Sequence, residues 1–149
     1  MSPRRATEVL IVLTILVISM GGMIRIYDAG ESCPDWPTCF GTWGFDISEE
    51  EQGEWWEENP DEADSRGSGH RYSSFQIFTE WFHRLLAGAF VGPLVILNWL
   101  LIRKEAWTSP RVKGVSSLTL GLILWQGAIG WLTVKMDNEL SLIHISEPT

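Results

Sequence analysis

Three long apolar runs decide what this 149-residue chain can become. The first, VLIVLTILVISMGGMI at residues 9–24, holds no charge. With its flanks it reaches the roughly 20 residues that cross about 30 Å of hydrocarbon. Two more follow, at 75–102 and 115–134. Backbone polar groups in lipid must be satisfied internally, and a single segment of this length does so as a helix. The expected fold is therefore an all-α integral membrane protein, with spans near 7–26, 74–102 and 114–134. A cleaved signal peptide would also place Arg4 and Arg5 before an apolar stretch and small residues such as Gly21 and Gly22 near its end. The later runs already commit the chain to a bilayer, so the first is read as an anchor that stays.

The charges orient the spans. Arg4 and Arg5 precede the first, while Arg103, Lys104, Arg111 and Lys113 crowd the short link between the second and third. An excess of Lys and Arg in short loops marks the cytoplasmic side. The N-terminus is expected inside and the loop at 27–73 outside, in a multi-pass protein of the cell membrane. That loop carries Glu49, Glu50, Glu51, Glu54, Glu57 and Glu58, so the net charge of -8 belongs to one outer segment. No nucleic-acid partner is expected of such a surface.

Both cysteines, Cys33 and Cys39, lie in GESCPDWPTCFG at residues 30–41. On the oxidising side of a membrane a disulfide forms and persists. Pro34 and Pro37 favour turns that bring two cysteines six residues apart within bridging distance. Such a loop serves either as a staple or as a redox element, and the residues leave both open. Further on, ISEEEQGEWWEENPDEAD predicts a short helix with Ser48 as N-cap and Glu51 completing a capping box, ending before Pro60. Trp55 and Trp56 would lie against the membrane surface or the rest of the loop. SRGSG at 65–69 reads as a flexible link.

The polar residues of the second span gather at its outer end, in EWFHR. Spacing of three and four puts Glu80 beside His83 and within reach of Arg84 on a helix. Ionisable groups at membrane depth are costly and point to function unless a helix end relieves them. His83 is a candidate ligand for a metal or a heme iron, with Glu80 either as proton carrier or as a hydrogen-bond partner that orients the ligand. A purely structural cluster is the competing reading. Ala87, Gly88 and Ala89, one turn below His83, leave room for a flat macrocycle or for close helix packing. Arg25 either anchors at phosphate level or pairs with heme propionates. Gln126, with Gly127 and Gly130 nearby, reads as glue between helices, and Gly92–Pro93 should loosen the second span near its middle.

The succession GGMIRIYDAGESCPDWPTCFG, EWFHR and LWQGAIGWLTVKMDN resembles the N-terminal half of the heme A synthase family across residues 21–138. The resemblance implies a four-helix bundle, usually duplicated to eight spans, that oxidises the C8 methyl group of heme O to the formyl group of heme A for cytochrome oxidase biogenesis. It implies that His83 is an axial heme ligand, that Glu80 is catalytic, and that Cys33 and Cys39 form a disulfide. Arg25 and Arg84 join His83 as cofactor-binding candidates, and a heme b is expected in a C-terminal half. Implied partners are heme O, membrane lipid, heme O synthase, cytochrome oxidase assembly factors and a second copy of the chain. Two other classes stay in view: a membrane thiol–disulfide/quinone oxidoreductase and a non-catalytic heme-binding assembly subunit. LSLIHISEPT at 140–149, His144 included, reads as a non-native tail, which makes 1–139 the expected half-bundle of a longer protein with a fourth span.

Overall fold

A computed structural model of the chain describes residues 1–60, 62 and 66–135. The expected tail at 140–149, with His144, lies outside the described residues. The protein is helical: α1 at Pro3–Ile26, α2 at Glu49–Glu58, α3 at Ser74–Leu85, α4 at Gly92–Lys104 and α5 at Pro110–Lys135, with a π-helical segment Leu86–Val91 joining α3 to α4. Among the described residues, Pro3–Ile26, Ser74–Lys104 and Pro110–Leu132 are long and apolar enough to cross a membrane.

The helix ends differ from the apolar runs for local reasons. α1 starts earlier because Arg4 pairs with Glu8 one turn on, at 2.9 Å, so the helix continues through charged residues. α5 starts at Pro110, not at 114, because proline is pre-organised for the first helical position and Ser109 Oγ accepts the Val112 N–H at 3.4 Å. The loosening expected at Gly92–Pro93 takes the form of the π segment just before it, where the Gly92 N–H reaches back to the Ala87 carbonyl. A proline lacks an N–H and crowds the carbonyl four residues back, and a widened turn relieves both.

The described chain divides into two compact units, and the boundary falls within α3, after Trp81. The helical unit comprises residues 1–23 and 82–128. Its core is Leu10, Val91 and Val95, flanked by Leu13, Val17 and Ile123. Polar ties are few: Thr7 and Asn98 exchange hydrogen bonds at 3.2–3.3 Å, and Trp99 Nε1 donates to Ser117 Oγ at 2.9 Å. Both α1 and α5 expose large apolar side chains, among them Ile18 and Leu118, as helices surrounded by lipid do.

The loop unit contains residues 24–81 and, of the described residues, also 129–135. Its core is Cys33, Cys39, Phe40, Ile47, Trp56, Tyr72 and Ile77. α2 forms as its capping box dictates: Ser48 Oγ accepts the Glu51 N–H at 3.2 Å, and Glu51 Oε2 accepts the Ser48 N–H at 2.7 Å. That backbone donation first, and the Ser48 hydroxyl second, hold the Glu51 carboxyl below the usual carboxylate range. α2 turns Trp56 into the core and Trp55 against it, so both pack on the rest of the loop. Cys39 and Thr42 exchange backbone hydrogen bonds at 2.9 and 3.1 Å, and Phe40 and Gly41 between them have φ of 50° and 73°. Two left-handed residues make the tight turn of a two-residue hairpin. Glycine fits it without cost, whereas Phe40 is held there by edge-on contacts with Trp55 and Trp56.

The buried Gln52 amide closes the unit from the other side. Its Nε2 donates to the Tyr72 carbonyl at 3.0 Å and its Oε1 accepts the Tyr72 N–H at 2.8 Å, as a neighbouring strand would. In the link at 65–69, expected to be flexible, Ser65 lies outside the described residues and Arg66 makes defined contacts. Its guanidinium pairs with Asp28 at 2.8 Å, donates to the Asp28 carbonyl at 2.9 Å and lies over the Tyr72 ring.

Candidate functional site

α3 carries the EWFHR motif, and its first part lies in the loop unit. There Glu80 is 5% exposed. Its Oε2 accepts the Ser32 hydroxyl at 2.9 Å and the Cys33 N–H at 2.8 Å. Burying a carboxylate costs several kcal/mol unless hydrogen bonds compensate, and bonds to a charged acceptor are each worth about 1.5–3 kcal/mol. The two donors come from consecutive residues at the mouth of the cysteine loop. Ser32 is itself fully buried, and its Oγ also lies 3.0 Å from the Gln76 carbonyl and 2.9 Å from that of Ala29. Three acceptors thus stand within reach of the one Ser32 hydroxyl proton, which is donated to one of them at a time.

Cys33 and Cys39 form the disulfide, with Cα atoms 4.6 Å apart. Each is 1% exposed. The bridge fixes the loop whose first amide binds Glu80, so the cysteines and the acid belong to one assembly. Thiol exchange requires a thiolate to reach a sulfur atom, and burial of both sulfurs favours the staple over the redox element. Gln76, one turn before Glu80, donates to the Tyr27 carbonyl at 3.0 Å and ties α3 to the residues following α1.

His83 lies in the helical unit and is half-buried. A Cβ added at Gly21 of α1 would stand 3.5 Å from its Nε2, so α1 approaches the imidazole through a glycine. Added at Gly22 or Gly88, a Cβ would meet nothing within 4 Å. The unit thus offers an imidazole beside helix backbone, just before a π turn of the kind that recurs at functional sites. Arg84 is half-buried and Arg25 is exposed in the last turn of α1. No cluster of three metal-binding side chains occurs among the described residues.

Every acidic, histidine and cysteine candidate named from the sequence is in a structured segment. What the sequence did not reveal is the Ser32 hydroxyl and the Cys33 amide as partners of Glu80. A serine before a cysteine carries no signal of burial, and a backbone N–H carries none at all.

The family model described as cytochrome oxidase assembly protein, COX15-CtaA, matches residues 4–145. The heme A synthase of Shewanella oneidensis is 35% identical over 129 residues, 87% of this chain and 36% of that protein. A heme A synthase–mitochondrial ferredoxin fusion protein of Schizosaccharomyces pombe is 30% identical over 86% of this chain and 21% of its own length. Heme A synthase COX15 of Saccharomyces cerevisiae is 30% identical over 89% of this chain and 28% of its own. The chain spans about a third or less of the length of these relatives. No solved structure matches it.

Proposed function

The chain belongs to the COX15-CtaA family of cytochrome oxidase assembly proteins, and from that membership we propose that it serves heme A synthesis, the oxidation of the C8 methyl group of heme O to a formyl group. In this reading the basic ends of the spans face the cytoplasm of the cell and the disulfide loop faces away from it. Heme O is the substrate, delivered by the enzyme that makes it, and cytochrome oxidase assembly factors receive the product.

The residues fit a heme. An imidazole is a sound axial ligand, and at Gly21 the α1 backbone approaches it with no intervening side chain. His83 would hold the iron, with Arg84 in the same unit as a cation for a propionate. Bound heme would supply one-electron redox chemistry, while the roughly four electrons removed from the methyl group would pass to an external acceptor and the formyl oxygen would come from water or dioxygen. The chain's own contribution is a fixed, dry carboxylate. Glu80 holds or passes the proton released as the substrate is oxidised, its Oε2 kept in place by Ser32 Oγ and the Cys33 N–H. Burial excludes the bulk water that would otherwise compete for that proton.

The observation that carries the reading is this buried carboxylate, clamped by a disulfide-closed loop. Its test is Glu80→Gln in the full-length protein. The expected result is heme retained, with heme A output reduced by about 10²-fold or more. Unchanged output would remove Glu80 from the chemistry and favour a heme-binding assembly role. His83→Ala should in turn alter the heme absorption spectrum, and an unaltered one would reassign the ligand. A thiol–disulfide relay is the weaker alternative, because the chain's two cysteines are consumed in one buried bridge.

A further inference from the structure

The helical unit holds a second feature that this function does not use. A cleft of about 540 Å³ lies between α1, α4 and α5, with walls that include Leu10, Ile15, Val95, Ile102, Val115 and Ile123. Five polar side chains also line it, and each has an internal partner. Thr7 and Asn98 bond each other, Thr14 Oγ1 donates to the Leu10 carbonyl at 2.7 Å, Ser116 Oγ to that of Lys113 at 3.1 Å, and Thr119 Oγ1 to that of Val115 at 3.0 Å. The remaining polar lining residue is Arg111, in the first turn of α5. Its guanidinium makes no hydrogen bond or ion pair among the described residues.

We propose that this cleft is the seat of an anionic phospholipid, one acyl chain lying in the apolar groove and the phosphate held by Arg111. The chemistry of the lining selects that occupant. A helical segment would complete its own backbone bonds and fill the apolar groove, but an apolar one would leave Arg111 unpaired. An uncharged amphiphile would leave the one uncommitted cation without a partner. Length agrees as well. α5 lines the cleft from Arg111 to Ile123, a rise of about 18 Å along a helix, close to the roughly 15 Å of hydrocarbon in one leaflet. Arg111 sits at the basic end of the spans, with Lys104 and Lys113 near it in sequence, and basic pockets between helices at that end suit anionic headgroups.

The test is photo-crosslinking in nanodiscs of the full chain with phosphatidylglycerol carrying a diazirine in one acyl chain. Adducts are expected on cleft residues such as Ile15 and Val115. Phosphatidylcholine with the same label, and Arg111→Gln with the glycerol lipid, should each lower the yield about fivefold, the worth of one basic residue at a headgroup. Equal yields from the two lipids overturn headgroup recognition without relying on any variant. Adducts confined to other surfaces overturn the site. So does a photoreactive side chain at Val115 that crosslinks to protein, whether a second copy or another segment of a longer chain, and not to lipid.

Discussion

The two units hold themselves together by opposite means. The loop unit has a disulfide, a capping box, a glutamine paired to backbone and a buried aromatic cluster within fewer than sixty residues. The helical unit has far fewer tertiary hydrogen bonds and leaves side chains such as Ile18 at 68% exposure. The contrast follows from the solvent each meets. A loop in water must bury its own apolar surface and satisfy its own backbone, whereas a helix in lipid completes its backbone bonds internally and gains nothing by hiding leucine from hydrocarbon. Covalent and polar ties belong where the surroundings supply least.

If that is right, single changes should cost much more in the loop unit than in the helices. Trp56→Ala, which empties the aromatic core, should destabilise the loop by about 3–5 kcal/mol. Near-ultraviolet circular dichroism should collapse while far-ultraviolet helicity of the spans persists, and loss of both together would break the distinction. Replacing Cys33 and Cys39 by serine removes a small closed loop and should cost about 2 kcal/mol, read as a lower midpoint for tryptophan fluorescence in chemical unfolding. A wild-type midpoint would demote the bridge. Ser48→Ala should cost about 1 kcal/mol by loss of the N-cap.

The capping box also has a pH signature. Glu51 has its carboxyl lowered in the folded state, so its contribution is fully present above the unfolded carboxylate range and is lost as pH falls through the lowered folded value. α2 should therefore fray in acid, and Ser48→Ala should flatten that dependence, as amide exchange across α2 would report. Smallest of all, Thr7→Val in the helical unit should cost about 0.6 kcal/mol, the average for a hydrogen bond between helices in a membrane. A steric-trap unfolding measurement that gave several kcal/mol would mean that polar ties matter equally in both units.

What could be read in the chain follows the same division. Apolar runs, basic flanks and the Ser48–Glu51 box act through local rules, so the three spans and α2 were legible from residue order. The disulfide was implied by compartment and family resemblance. Three features escaped because they depend on residues remote in sequence: the carboxylate of Glu80 finding Ser32 and Cys33, Phe40 accepting a left-handed turn under two tryptophans, and Arg66 crossing to Asp28. Each is a choice made by tertiary packing over local preference, and no periodicity announces it.

The π segment has a consequence for the phase of the helix. A π turn holds one residue more than an α turn, so side chains after Val91 are advanced by about 100° relative to an uninterrupted α-helix. Deleting one residue within Leu86–Val91 would convert the wide turn to an α turn and leave α4 showing the same face as before. A deletion of one residue elsewhere in the span would swing everything beyond it by a quarter turn or more. Length variation in this helix is therefore tolerable at one place along it, the turn that already carries a spare residue.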